Sequence, residues 1–169
     1  VLLATYNVTD TLTINGGLSL DHVTSASIER LSQYSEQSGA STDTYLGVDL
    51  GAKLQATEEL SLGLRASVSN EYDYQSLGFG GDVSLDLFEG NTTISLGFNA
   101  FLDTVNVIRF NGSDDDGDES RTSISFNPQL YQILGPTIHL TLGYSFTHQT
   151  GFLETAFNGV VLEDPSDSP

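Results

Sequence analysis

The sequence predicts an all-β fold, an antiparallel up-and-down transmembrane β-barrel or a segment of a larger one, with about nine strands in this chain. Three observations predict it. Apolar and polar side chains alternate with period two through most of the 169 residues, and helical periodicity is hard to find. The clear alternating stretches run about 10–12 residues, close to the ~9–11 that a tilted strand needs to cross a bilayer and longer than the ~5–6 of an ordinary strand. The connections between them alternate between tight and generally longer, as in outer-membrane barrels whose short turns face the periplasm and long loops face outside.

The elements follow in order. Leu2 to Val8 is a weak first strand, closed by a turn at Thr9-Asp10, and Thr11 to Asp21 is the first clear one. A long polar connection spans 23 to 43, and Thr44 to Gln55 then runs into the tight turn "ATEE" at 56 to 59. In "LSLGLRASVS", 60 to 69, the alternation never slips, and "NEYDY" follows at once with a connection at 71 to 75. Ser76 to Leu87 and Thr92 to Leu102 flank the turn "EGN" at 89 to 91, which carries turn-forming residues. A long connection at 104 to 120 leads to a weaker strand, Arg121 to Leu134. Its Pro128 lacks the N–H that a ladder needs, which predicts either a bulge or a sheet edge near Asn127. The turn "GPT" at 135 to 137 opens Thr137 to Thr147, and a short connection at 148 to 151 precedes a weak last strand, Phe152 to Val161. Residues 1–162 therefore read as barrel strands and loops, and 163–169, "EDPSDSP", as a polar tail or linker.

Composition narrows the class. Charged residues make up 17%, low against the ~25% of a typical soluble domain, which is what a chain with little wet surface would show. With 23 acids against 5 bases the net charge is -18, so a phosphate-lined partner is repelled and nucleic acid is excluded as a ligand. Cysteine is absent, which excludes disulfides, thiolate metal sites and thiol nucleophiles. No stretch approaches the ~18 apolar residues of a membrane-spanning helix, so any bilayer contact must be made by strands. The chain opens on Val1 without a basic-then-apolar leader, and the expectation is a start after a processing site or within a longer protein.

Sorting the strands by parity gives two faces. One gathers Leu12, Ile14, Leu18, Leu46, Leu50, Leu64, Phe79, Leu96, Phe98, Leu142 and their neighbours, with no carboxylate, Lys, Arg or His expected among them. The other carries Asp49, Lys53, Arg65, Asp82, Asp86, Asn99 and His139 among many Gly, Ser and Thr. Lipid outside and a polar interior impose this division, because each Arg or Lys facing hydrocarbon near the midplane costs roughly 2–4 kcal/mol. A soluble sandwich also alternates, but its wet faces should be rich in Lys and Glu.

The seven polar residues just named are the candidates for the lumen. They would either line a cation-selective pore or pair with one another and fill a small barrel. Tyr72 and Tyr74 of "EYDY" stand where an aromatic girdle marks a membrane interface, with Glu71 and Asp73 at headgroup level near lipopolysaccharide. The acidic stretch "NGSDDDGDESR", 111 to 121, offers Asp114, Asp116 and Asp118 as oxygen ligands for Ca²⁺, the one cofactor the sequence suggests. Its spacing is not that of an EF-hand loop, and a solvated, self-repelling loop is the competing reading. His22, His139 and His148 have no ligand spacing, and no Gly-x-Ser-x-Gly elbow occurs, so no catalytic residue is assigned. The sequons at Asn7, Asn91 and Asn111 read as chance matches or turn chemistry.

Three patches, "LDHVTSASIE" (20 to 29), "SVSNEYDYQS" (67 to 76) and "DLFEGNTTISLGF" (86 to 98), resemble an uncharacterised, domain-of-unknown-function family of bacterial outer-membrane β-barrel proteins. The resemblance covers about the first two thirds of the chain. It implies a barrel in a longer chain and no known reaction, and the missing strands would follow this segment or come from a partner.

The expected function is a non-enzymatic one at the bacterial outer membrane, either a porin-like channel or a structural scaffold. The partners would be outer-membrane lipid and lipopolysaccharide, with other surface proteins engaging the long connections. The alternative is a soluble secreted β-sandwich that binds Ca²⁺ or carbohydrate.

Overall fold

The structure, a computed structural model, describes residues 1–23, 43–71, 73–107 and 117–153. They form one antiparallel sheet of nine strands: β1 (Leu2–Asn7), β2 (Leu12–Val23), β3 (Asp43–Gln55), β4 (Leu60–Asn70), β5 (Tyr74–Leu87), β6 (Thr92–Asn106), β7 (Asp118–Gly135), β8 (Ile138–Gly143) and β9 (Phe146–Gly151). Each strand from β1 to β8 pairs with the next in sequence, so the sheet is a meander, and β9 also pairs with β7. Local alternation and the turn residues suffice to produce this order. Thr9 and Thr57 each accept backbone N–H groups on their side-chain oxygens and hold the two tight turns that follow β1 and β3.

The β5–β6 turn is the most constrained. Phe88, Glu89 and Gly90 all have positive φ, 54°, 57° and 81°, the left-handed twist that matches a tight hairpin. Asn91 closes it by donating from Nδ2 to the Phe88 carbonyl at 2.8 Å.

Two expectations are corrected here. First, of the two forms expected, a barrel or a segment of a larger one, the structure does not show a closed barrel: among the described residues no ladder joins β1 to β8 or β9, so two edges are left open. Alternation sets which way side chains point, but closure needs hydrogen bonds between the first and last strands, and those strands pair only inward. Second, β8 and β9 are two halves of one chain pass. Leu130 pairs with Leu142 and Phe126 with Phe146, so the register sum is 272 on both sides of the break (130 + 142, 126 + 146). The gap falls where Pro128 faces Tyr144. Tyr144 N–H donates to the Pro128 carbonyl at 3.0 Å, but Pro128 has no N–H to return. Pro128 therefore causes neither an edge nor a bulge; the bulge lies between Ile133 and Gly135. The strand expected at Phe152 to Val161 is not strand at Phe152 and Leu153, and the rest of it lies outside the described residues.

No core is present in the ordinary sense. Among the described residues Val105 is the only buried hydrophobic, and no large side chain is fully buried. The register assembles the apolar residues into rows across the sheet, such as Ile14, Ala52, Leu64, Gly81, Phe98, Phe126 and Phe146. Leu50 is 60% exposed and Leu64 70%. Within this apolar face Phe98 packs on Phe126 at 5.3 Å between ring centroids. Eight chain passes of about ten residues, at ~3.3 Å rise and ~4.8 Å spacing, present roughly 1,000 Å² on this face. Soluble monomers rarely exceed about 300–600 Å² in one patch.

Candidate functional site

The polar face of the same sheet gathers the candidate residues. Register places Asp49, Lys53, Arg65, Asp82, Asp86, Asn99 and His139 all on it, opposite the leucine rows. Parity dictates this: with period two, one in-register pairing fixes the side of every residue on both strands.

Its central rows have a common construction, in which a large side chain on one strand lies over a glycine on the next. A Cβ added to Gly51 would come within 2.6 Å of the Asn15 amide, and one added to Gly63 within 2.5 Å of the Asp82 carboxylate. One added to Gly80 would lie 2.7 Å from the Asn99 amide and 3.2 Å from Arg65 Nε, and one on Gly47 would meet the Tyr45 ring of its own strand. Glycines of the apolar face are freer: Gly16 and Gly81 would meet nothing closer than 3.6 and 3.5 Å. The polar face is thus crowded at Gly51, Gly63, Gly78 and Gly80, onto which neighbouring side chains fold, while Gly97 on the same face would meet nothing closer than 3.7 Å.

Arg65 sits at the centre. Its Nη1 lies 3.5 Å from Asp82 Oδ1, and its Nη2 donates to Asn99 Oδ1 at 3.4 Å. Asn99 in turn donates to Ser125 Oγ at 3.4 Å, so a polar chain runs across four strands, β4 to β7. Beside it opens a groove of about 250 Å³ whose polar lining is Asn15, Asp49, Arg65, Ser67 and Asn99, with Phe101 as an apolar wall. Toward the short-turn end, Asp86 accepts from Thr93 Oγ1 at 2.6 Å, Ser84 and Ser95 share a hydrogen bond at 3.0 Å, and Tyr131 bonds His139 Nδ1. Lys53 is exposed and faces Gly63 and Thr13.

At the long-loop end stands a second cluster that the sequence reading missed. Asp103, 4% exposed, accepts from Ser76 Oγ at 2.7 Å and from Arg121 Nε at 3.1 Å. Arg121 Nη2 donates to the Tyr74 hydroxyl at 2.7 Å, and its guanidinium lies 5.3 Å from that ring's centroid. Tyr74 was expected to mark an outer interface. It shares parity with Ser76 and Gly78, so its ring turns onto the polar face instead. Its girdle partner Tyr72 lies outside the described residues. The polar parity of Asp103 and Arg121 was a usable signal, but their pairing rests on the β6–β7 register, which no single strand reveals.

Two further placements differ from expectation. The sequence places His148 in a connection, but β9 continues in register past the Pro128 gap and sets it opposite Ile124, on the apolar face. His22, near the end of β2, shares that face and bonds Thr44 Oγ1 at 2.9 Å. Of the Ca²⁺ candidates, Asp114 and Asp116 lie outside the described residues, and Asp118 is exposed at the start of β7 opposite Asn106. Among the described residues no group of three His, Cys, Asp or Glu side chains could hold a metal ion.

Comparison with known proteins gives one match. A family model described as "Protein of unknown function (DUF3570)" covers residues 22–168. No curated protein and no solved structure matches.

Proposed function

This chain belongs to the DUF3570 family, and from that premise we propose that its sheet is part of the wall of a bacterial outer-membrane β-barrel acting as a porin-like channel, without catalysis. One observation carries the reading: an exposed apolar face spans the whole sheet, and between the strand ends no Asp, Glu, Lys or Arg projects onto it. Hydrocarbon is the solvent that suits such a face, and a closed barrel would satisfy the two open edges. Strands outside the described residues, or a partner's strands, would complete the ring. The polar face then lines the lumen, and the tight turns face the periplasm.

A scaffold that passes nothing shares the wall but not the conduction. The test is extraction of the full-length protein from membranes in mild detergent, followed by gel mobility with and without boiling and conductance in a planar bilayer. We expect a boiling-dependent shift and single-channel steps. A shift without conductance would favour the scaffold, and a soluble protein with no shift would replace the barrel by a second sheet packed on the apolar face.

A further inference from the structure

We infer that the groove on the polar face is a binding site for a small uncharged polyhydroxylated molecule, a mono- or disaccharide-sized solute. This rests on the barrel reading above, in which that face lines the passage, and it names the solute class.

Asn15, Asn99 and Arg65 present planar amide and guanidinium donors, Asp49 and the asparagine carbonyls present acceptors, and Ser67 does both. Planar groups with paired donors and acceptors match vicinal hydroxyls, whose O–H groups also donate and accept. Glycines 78 and 80 lie beneath Ser67, Phe101, Asn99 and Arg65, so a ring entering the groove meets those side chains rather than the backbone. Phe101, 39% exposed on this mainly polar face, supplies an apolar surface for the C–H side of such a ring. The volume, about 250 Å³, is at the small end for ligand pockets.

Charge decides against the other classes. Asp82 neutralises Arg65, and Asp49 flanks the same row, so an anion meets two carboxylates around one guanidinium already engaged at 3.5 Å. A cation must approach Arg65, which lines the groove and whose side chain is 54% exposed. A neutral solute incurs neither repulsion and can hydrogen-bond to Asn15, Asp49 and Ser67 of the lining.

The test uses the full-length protein in mild detergent, first checked for the boiling-dependent shift, with glucose and maltose as probes and glutamate and choline as charged controls. Binding is read by ligand-observed NMR and calorimetry. The expected result is millimolar binding of at least one sugar, weakened at least tenfold in Asn99→Leu and in Arg65→Met. Ser95→Ala, on the same face but outside the groove, should leave it unchanged, and all three variants should keep the shift. An assembled barrel that binds neither sugar, or binds equally well in all three variants, overturns the inference and leaves the barrel standing. Tighter binding of glutamate or choline overturns the solute class. Loss of the shift in the unaltered protein overturns the barrel reading and this inference with it.

Discussion

At the scale of single residues, the polar face separates interactions that look alike in composition. Asp103 and Arg121 form a pair in which the carboxylate side chain is 3% exposed and the guanidinium 27%. Removing Arg121 strands the more deeply buried charge, whereas removing Asp103 leaves a cation that water can partly reach. Arg121→Met should therefore destabilise by about 3–5 kcal/mol, the range for breaking a buried pair. Asp103→Asn should cost about 1–3 kcal/mol, because the amide still hydrogen-bonds. Equilibrium urea unfolding of both variants in micelles tests the order, and equal losses would contradict it. A second contrast compares glycines. Gly63→Ala must displace the Asp82 carboxylate and should cost about 1–3 kcal/mol. Gly81→Ala, whose Cβ would make ordinary van der Waals contact at 3.5 Å and whose φ is not positive, should be neutral or gain up to about 1 kcal/mol. The same melts measure both, and similar effects would mean that the two faces are equally crowded.

At the scale of elements, the informative feature is the interruption between β8 and β9. Because Tyr144 donates to the Pro128 carbonyl, antiparallel geometry aims the Tyr144 carbonyl at the position where residue 128 would carry its N–H. Ser145 Oγ donates to Asn127 Oδ1 at 2.8 Å beside the gap and ties the pass together through side chains. Pro128→Val supplies the missing donor and a residue suited to strands. We expect one continuous strand from Ile138 to Gly151, a gain of about 0.5–1.5 kcal/mol, and slower amide exchange around Tyr144. Unchanged exchange there would show that something other than the proline opens the ladder.

At the scale of the whole molecule, stability must come from ladders and surroundings, since the described residues bury almost no apolar side chain. The two faces should then respond oppositely to the same added charge. Leu64→Arg or Leu96→Arg places a guanidinium on the apolar face, at roughly 2–4 kcal/mol each if that face meets hydrocarbon. Ser67→Arg or Ser95→Arg places it on the polar face, where water solvates it. The yield of detergent-extracted, boiling-sensitive protein should fall for the first pair and hold for the second. An equal fall in both pairs would remove the assignment of faces.

What was legible in the sequence was whatever depends on neighbours along the chain. Alternation in Leu60 to Ser69 sets which side chains share a side, because successive Cβ atoms point opposite ways whatever the strand pairs with. The tight turns were legible too, since Thr57 acts on backbone groups two and three residues away. Hence the strands of β1 to β7 and the polar-face set were readable. Register, closure and cross-strand chemistry were not, because they are set by partners far along the chain. The Asp103–Arg121 pair spans the β6–β7 connection, Tyr74 meets Arg121 across 47 residues, and Arg65 meets Asn99 across 34. His148 joins a strand, on the apolar face, because β9 holds the register of β8 across a proline gap. The sequence determined the two faces of the sheet; only the tertiary structure decided where its edges lie and which charges meet, because a hydrogen-bond ladder is a property of pairs of strands.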